Sequence, residues 1–135
     1  MQGASSMGVT GQRLACRGKR VYGIDGDKVG ARIEALLIQN SLEEIRAFSQ
    51  RVTEAMEEIK RCIKSEQGDI IFCSGDSILF LGDFEEEWCK QILQRFAELT
   101  GCTASMGIGE NPQAAYLGLK LAKANGGGTL IYYCQ

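Results

Sequence analysis

The chain has 135 residues, 44% of them hydrophobic, which suits one domain with one well-covered core, and no second catalytic domain is expected. Its net charge is −2, yet the first twenty residues carry Arg13, Arg17, Lys19 and Arg20 and no Asp or Glu, so the remainder is acidic. Such a body is a poor partner for long nucleic acid, whose binding depends on many Lys and Arg contacts to phosphate.

The absence of histidine excludes Ser-His-Asp and Cys-His catalysis. It also disfavours zinc, as does the spacing of the six cysteines, no two of which are closer than eleven residues. Cys16, Cys62, Cys73, Cys89, Cys102 and Cys134 mostly fall within apolar periodic patterns; with no signal peptide expected, they read as reduced core residues of a cytoplasmic protein. No apolar run approaches the length of a membrane span, so no membrane partner is expected.

Residues 1–18 mix Gly, Ser and Thr with few large apolar groups and are expected to be a disordered lead or an expression remnant, with a single domain over 19–135. Lys19 to Asp25 reads as the first strand, broken by Gly26. Val29, Ile33, Leu36 and Leu37 have helical spacing, which predicts a helix from Val29 to Ile38. Ser41 and Glu44 form a capping pair for a longer helix whose stripe is Ile45, Phe48, Val52, Met56, Ile59 and Ile63.

Asp69 to Cys73 and Ile78 to Leu81 are two short apolar runs joined by Ser74-Gly75-Asp76-Ser77, which predicts a tight hairpin. Asp83 and Glu86 are expected to cap the next helix, carrying Phe84, Trp88, Ile92 and Phe96 and ending at Gly101. Cys102 to Ile108 is a strand, Asn111-Pro112 opens an alanine-rich helix that stops at Asn125-Gly126, and Thr129 to Tyr133 is a final strand. The order β, α, α, β, β, α, β, α, β contains a ferredoxin-like split βαβ arrangement with one extra α-β unit, an α+β fold expected to have an antiparallel sheet of about five strands with helices packed on it.

In that arrangement the end of the first strand, with Asp25, lies beside the hairpin turn, with Asp76. Oxygen ligands suit Mg²⁺ or Mn²⁺; Asp25 and Asp76 are the candidate ligands, with the Gly26 carbonyl or Asp27 as a third. Either turn alone is an ordinary acidic turn. The backbone N–H groups of Lys28, Val29 and Gly30 open the first helix and can hold a triphosphate. Lys120 and Lys123, near the end of the last helix, either complement its dipole or reach phosphates, and Glu34 and Asn40 are candidates for hydrogen bonds to a nucleobase.

Four stretches carry a family resemblance: Tyr22-Gly23-Ile24-Asp25-Gly26-Asp27, Ser74-Gly75-Asp76-Ser77, Ala104-Ser105-Met106-Gly107-Ile108, and Leu119-Lys120-Leu121-Ala122-Lys123-Ala124-Asn125-Gly126. Over residues 19–134 the chain resembles the minimal CRISPR polymerase family, mCpol, related to the palm domain of type III CRISPR large subunits and more distantly to GGDEF diguanylate cyclases. The resemblance implies a palm, GGDEF-type fold that condenses nucleoside triphosphates, ATP favoured, into a cyclic di- or oligonucleotide signal in anti-phage defence. It makes Asp25 the first metal aspartate, Asp76 the first acidic residue of the family's Gly-Gly-Asp-Asp or Gly-Gly-Asp-Glu turn, and Lys123 a phosphate-binding lysine. Ser74 stands where that turn has its first glycine and Ser77 where it has its second carboxylate, so Ser74, Gly75 and Ser77 count with the nucleotide-binding positions.

If each domain holds one nucleotide, ring closure needs two sites facing each other, hence a homodimer. The missing carboxylate at Ser77 motivates the alternative, a weakened nucleotide-binding or protein-interaction module of the same fold.

Overall fold

The computed structural model describes residues 19–134; the expectations for residues 1–18, with Cys16, lie outside them. Strand β1 (Arg20–Gly26) leads into α1 (Val29–Ile38) and α2 (Leu42–Ser65), followed by the hairpin β2 (Asp69–Ser74) and β3 (Ser77–Gly82). Then come α3 (Glu86–Thr100), β4 (Ala104–Gly109), α4 (Pro112–Ala124) and β5 (Leu130–Tyr132). The five strands lie in the order β2-β3-β1-β4-β5. All neighbours are antiparallel except β4 and β5, as the crossover through α4 requires.

Alternation along β1 decides what each face carries. Tyr22 and Ile24 are fully buried beside their cross-strand partners Phe80 and Ile78 on β3 and Ile108 and Met106 on β4. Phe48, Met56, Ile59 and Ile63 of α2 and Phe96 of α3 complete this core. Gly23 and Asp25 point to the other face, where α4 lies over β4, β1 and β5. The seat of α4 is tight: a methyl group on Gly107 would lie 2.1 Å from the Ala115 carbonyl oxygen.

The expected caps at Ser41, Gly101 and Asn111 are present: Ser41 accepts the Glu44 N–H, Gly101 takes the left-handed conformation at φ 79°, and Asn111 accepts the Ala114 N–H ahead of Pro112. The cap expected at Asp83 is not. Helix α3 starts at Glu86 after Glu85 with no side-chain cap, and the Asp83 carboxylate pairs instead with Arg20 at 3.4 Å. Phe84 precedes the helix, its N–H donating to the Tyr22 hydroxyl at 2.8 Å and its ring stacking on Trp88. Burial of that ring, more than helical periodicity, sets the path into α3.

The strand expected from Cys102 begins at Ala104, and the last strand shortens to three residues. Of the five described cysteines only Cys89 is fully buried; Cys62, Cys73 and Cys102 are half-buried and packed against the core, and Cys134 is half-buried. Strand β2 is not a clean half of a hairpin. Ile70 pairs with Phe80 but Phe72 pairs with Leu79, so one extra residue, Ile71, is accommodated as a bulge on this edge strand.

Candidate active site

Asp25 is the second-last residue of β1, and its Cα partners are Ser77 on β3 and Ser105 on β4, so all three side chains share the α4 face. The Ser77 hydroxyl donates to Asp25 Oδ1. Lys123, from the last turn of α4, places its Nζ 3.1 Å from Asp25 Oδ2, 2.8 Å from Asp27 Oδ1 and 2.9 Å from the Gly26 carbonyl oxygen. One ammonium therefore touches three of the four groups that the sequence marks as candidate metal ligands.

Asp27 differs from Asp25 in the number of donors it accepts from, four against two. Oδ2 accepts from Thr103 Oγ1 at 2.7 Å and the Gly128 N–H at 2.8 Å, while Oδ1 accepts from Ser105 Oγ at 2.8 Å as well as from Lys123. Burial alone would raise the Asp27 carboxyl, but the bonds from Lys123, Thr103, Ser105 and Gly128 outweigh it and hold it below the usual carboxylate range. Burial would likewise depress the Lys123 ammonium, yet its bonds to Asp27 and Asp25 and their charges raise it. Gly127, at φ 78°, passes so close that a Cβ there would lie 2.7 Å from Asp27 Oδ2. Asp27 thus ties the end of β1 to β4, α4 and the glycine turn after α4.

Asp76 lies on the opposite side of the strand end. A Cβ on Gly26 would meet Asp76 Oδ2 at 2.7 Å and the rings and methyls of Phe96 and Val29, so this position must be glycine for the Asp76 carboxylate to occupy that space. The Gly26 N–H donates to the Asp76 carbonyl at 3.1 Å, locking the hairpin turn to β1. Burial first, then the charge of Asp25, raises the Asp76 carboxyl above its ordinary value. The pair therefore holds negative charge that Lys123 offsets mainly on the Asp25 side.

Three clefts open around this centre. Val29, Gly30, Gly75 and Asp76 line one of about 340 Å³ together with Ser49 and Thr53 of α2. Helix α1 begins there after Lys28, which is left-handed at φ 60°, and it has no side-chain cap. A Cβ on Gly30 would meet nothing within 4 Å, so a ligand can approach its backbone closely. Asp25, Ser77, Lys120 and Lys123 line a second, about 380 Å³. Asp27 and Lys28 line a third with Arg32.

Ser74 is the last residue of β2, paired with Ser77 across the two-residue turn Gly75-Asp76. Glu34 and Asn40 join none of these clefts. Glu34 is exposed on α1, and Asn40 sits at φ 59° in the turn between α1 and α2, a conformation Asn tolerates better than most residues.

The sequence marks neither Thr103 nor Gly128 and gives Ser105 no role beyond its place in the stretch Ala104 to Ile108, although Thr103 and Ser105 stand at the two-residue spacing that puts both on one face of a strand. Phe72 and Tyr116 in the second cleft had no sequence signal beyond being aromatic.

The topology and the acidic strand end define a palm, GGDEF-type domain, the fold class of nucleotide cyclases and polymerases. Among solved structures the chain is similar to the active GGEEF domain of a diguanylate cyclase from Vibrio cholerae, with 15% identity, a TM-score of 0.60, and coverage of 88% of this chain and 85% of that one. It is also similar to a chain of the Csm1-Csm4 cassette in complex with cA4, with 17% identity, a TM-score of 0.61, and coverage of 91% of this chain but 21% of that one. The GGDEF domain of DgcB from Caulobacter crescentus, in complex with c-di-GMP, has 10% identity and a TM-score of 0.54 over 86% of this chain and 77% of that one. No curated protein sequence matches the chain at significant similarity. The minimal CRISPR polymerase domain model matches residues 21–133, and the chain belongs to that family, mCpol.

Proposed function

We propose that this protein is a metal-dependent nucleotidyltransferase that condenses nucleoside triphosphates, ATP favoured, into a cyclic di- or oligonucleotide. The observation that carries the reading is the convergence of Asp25 and Asp76 at one strand end, with the Asp76 carboxyl raised by burial and by its neighbour's charge. Family membership and the nucleotide complexes of similar structures, cA4 and pppApA with Csm1-Csm4 and c-di-GMP with DgcB, support a nucleotide as ligand.

The donor set fits Mg²⁺ or Mn²⁺. Among the described residues no group of three or more His, Cys, Asp or Glu side chains forms a metal cluster, and Mg²⁺ asks for only one or two carboxylates, keeping its other positions for water and phosphate. Asp25, Asp76 and the Gly26 carbonyl would hold it, while the engaged Asp27 would shape the backbone that presents them. Bound there, the ion would neutralise phosphate charge and favour ionisation of an attacking hydroxyl.

The uncapped start of α1 cradles the triphosphate through the Val29 and Gly30 N–H groups. A ribose hydroxyl of a second nucleotide attacks the α-phosphorus. The new O–P bond forms as the bond to the β-phosphate bridging oxygen breaks, pyrophosphate leaves, and the hydroxyl proton passes to solvent. Lys123 can follow the developing phosphate charge, since its flexible stem already brings Nζ to the strand end. Two such domains facing each other would close a cyclic product, so a homodimer is part of the proposal, as are a cytoplasmic location and a signalling role in anti-phage defence. No helix among the described residues is long and apolar enough to cross a membrane.

The test is mass spectrometry of the products formed from the four nucleoside triphosphates with Mg²⁺, alongside Asp76→Ala. A cyclic product and pyrophosphate are expected from the wild type and neither from the variant; equal product from both removes the metal assignment. Ser77, whose hydroxyl rather than a carboxylate faces Asp25, favours one second reading, a nucleotide-binding module without turnover. Calorimetry showing tight binding without pyrophosphate release would select it.

A further inference from the structure

The second cleft lies between the β2-β3 hairpin and α4, on the face opposite Asp76, and at one end it reaches Asp25, Ser77 and Lys123. Its walls are apolar, and two of them are aromatic rings left in solvent: Phe72 is 51% exposed and Tyr116 57%. The bulge at Ile71 is what brings Phe72 here. Without it Ile71 would oppose Leu79 and Phe72 would turn to the other face; with it Phe72 shares the face of Leu79, Gly23 and Asp25. On the α4 side the Lys120 ammonium lies 5.7 Å from the Tyr116 ring centroid. The groove therefore joins flat apolar surface to two ammonium groups and a carboxylate.

We infer that this groove holds the nucleoside of a second, acceptor nucleotide, its base on Phe72 and Tyr116, its ribose toward Asp25 and its phosphates toward Lys120. A nucleotide has this division into a flat apolar end and an anionic end, whereas an apolar peptide or helix would leave Lys120, Lys123 and Asp25 unmatched. The volume, about 380 Å³, lies in the range of small-molecule sites. Aromatic faces accept any base, because every base has a π-face. The inference rests on the nucleotidyl-transfer reading for the word acceptor and deepens it: one chain would hold two nucleotides, one on each side of the strand end, and a monomer could join them into a linear dinucleotide.

The experiment is calorimetric titration of the full chain with a non-hydrolysable ATP analogue and Mg²⁺, and of Phe72→Ala/Tyr116→Ala, with thermal unfolding to check that the variant is folded. Two molecules per chain are expected for the wild type and one for the variant; in turnover assays the variant's KM for ATP should rise about tenfold or more, from the loss of base stacking. One molecule per chain in the wild type, or an unchanged stoichiometry in the variant, overturns the assignment. So does a variant that loses only self-association, which would give the aromatic pair to a protein interface. Two bound nucleotides without pyrophosphate release would remove the catalytic reading and leave the groove standing; product formation with an unchanged KM in the variant would do the reverse.

Discussion

Ser77 and Asp25 are partners across β3 and β1, and the Ser77 hydroxyl donates to the Asp25 carboxylate. Where the family resemblance places the turn's second acidic residue, this chain thus has a neutral donor aimed at Asp25. Ser77→Asp would set two carboxylates directly opposite each other, an unfavourable cross-strand pair. Without divalent cations its melting temperature should fall by a few degrees, and added Mg²⁺ or Mn²⁺ should raise it more than in the wild type. Thermal scans across metal concentration read both effects; an identical metal response in the two proteins would separate Ser77 from the site.

Asp76 costs stability in the cation-free protein, because burial and the charge of Asp25 raise its carboxyl. For such a group the native state holds the proton more tightly than the unfolded chain, so stability falls as pH rises from the ordinary value of 3.8 through the raised one. Asp76→Asn should therefore be more stable than the wild type at neutral pH, and the gain should shrink as the pH drops and Asp76 becomes neutral by protonation. Chemical denaturation at several pH values in the presence of a chelator checks the direction.

Ser105 is fully buried and links two parts of the Asp27 cradle, donating to Asp27 and accepting the Gly128 N–H at 3.2 Å. Ser105→Ala removes a bond to a charged group and should cost about 2 kcal/mol in urea unfolding. A cost near zero would mean that Lys123, Thr103 and Gly128 hold Asp27 without it.

The Tyr132 hydroxyl is buried with no hydrogen-bond partner among the described residues. Tyr132→Phe removes that orphan and should stabilise the protein by about 1 kcal/mol at neutral pH. Burial, with smaller contributions from nearby charges, pushes Tyr132 up to about 12 from its ordinary 10.0, so its native state keeps the proton longer and stability falls as pH rises between these values. The variant should lose less over that interval, though Tyr22, raised chiefly by burial, keeps part of the decline.

Gly107→Ala tests the seat of α4. The added methyl would meet backbone atoms of Ala115 and Leu119 at 2.1 and 2.2 Å, which cannot move without lifting the helix. A loss of about 3 kcal/mol is expected in denaturant unfolding, and with α4 displaced Lys123 should leave the strand end.

Much of the architecture could be read locally. Ser41, Gly101 and Asn111-Pro112 mark helix ends through bonds spanning a few residues, and the stripe from Phe48 to Ile63 marks the buried face of α2 by its own period. Asp83 misled because a cap residue and an ion-pair residue look alike until Arg20, 63 positions away, is known to be its neighbour.

The sequence by itself determined the order of elements and the presence of two acidic turns at one sheet end, because periodicity, caps and turn chemistry act over one or two turns of chain. Only the tertiary structure decided that Asp25 and Asp76 face opposite sides of the strand end and that Asp27 is an anchor. It also decided that one bulge turns Phe72 toward Tyr116. Those outcomes depend on strand register and on hydrogen bonds between residues 76 to 101 positions apart, and no local pattern carries that information.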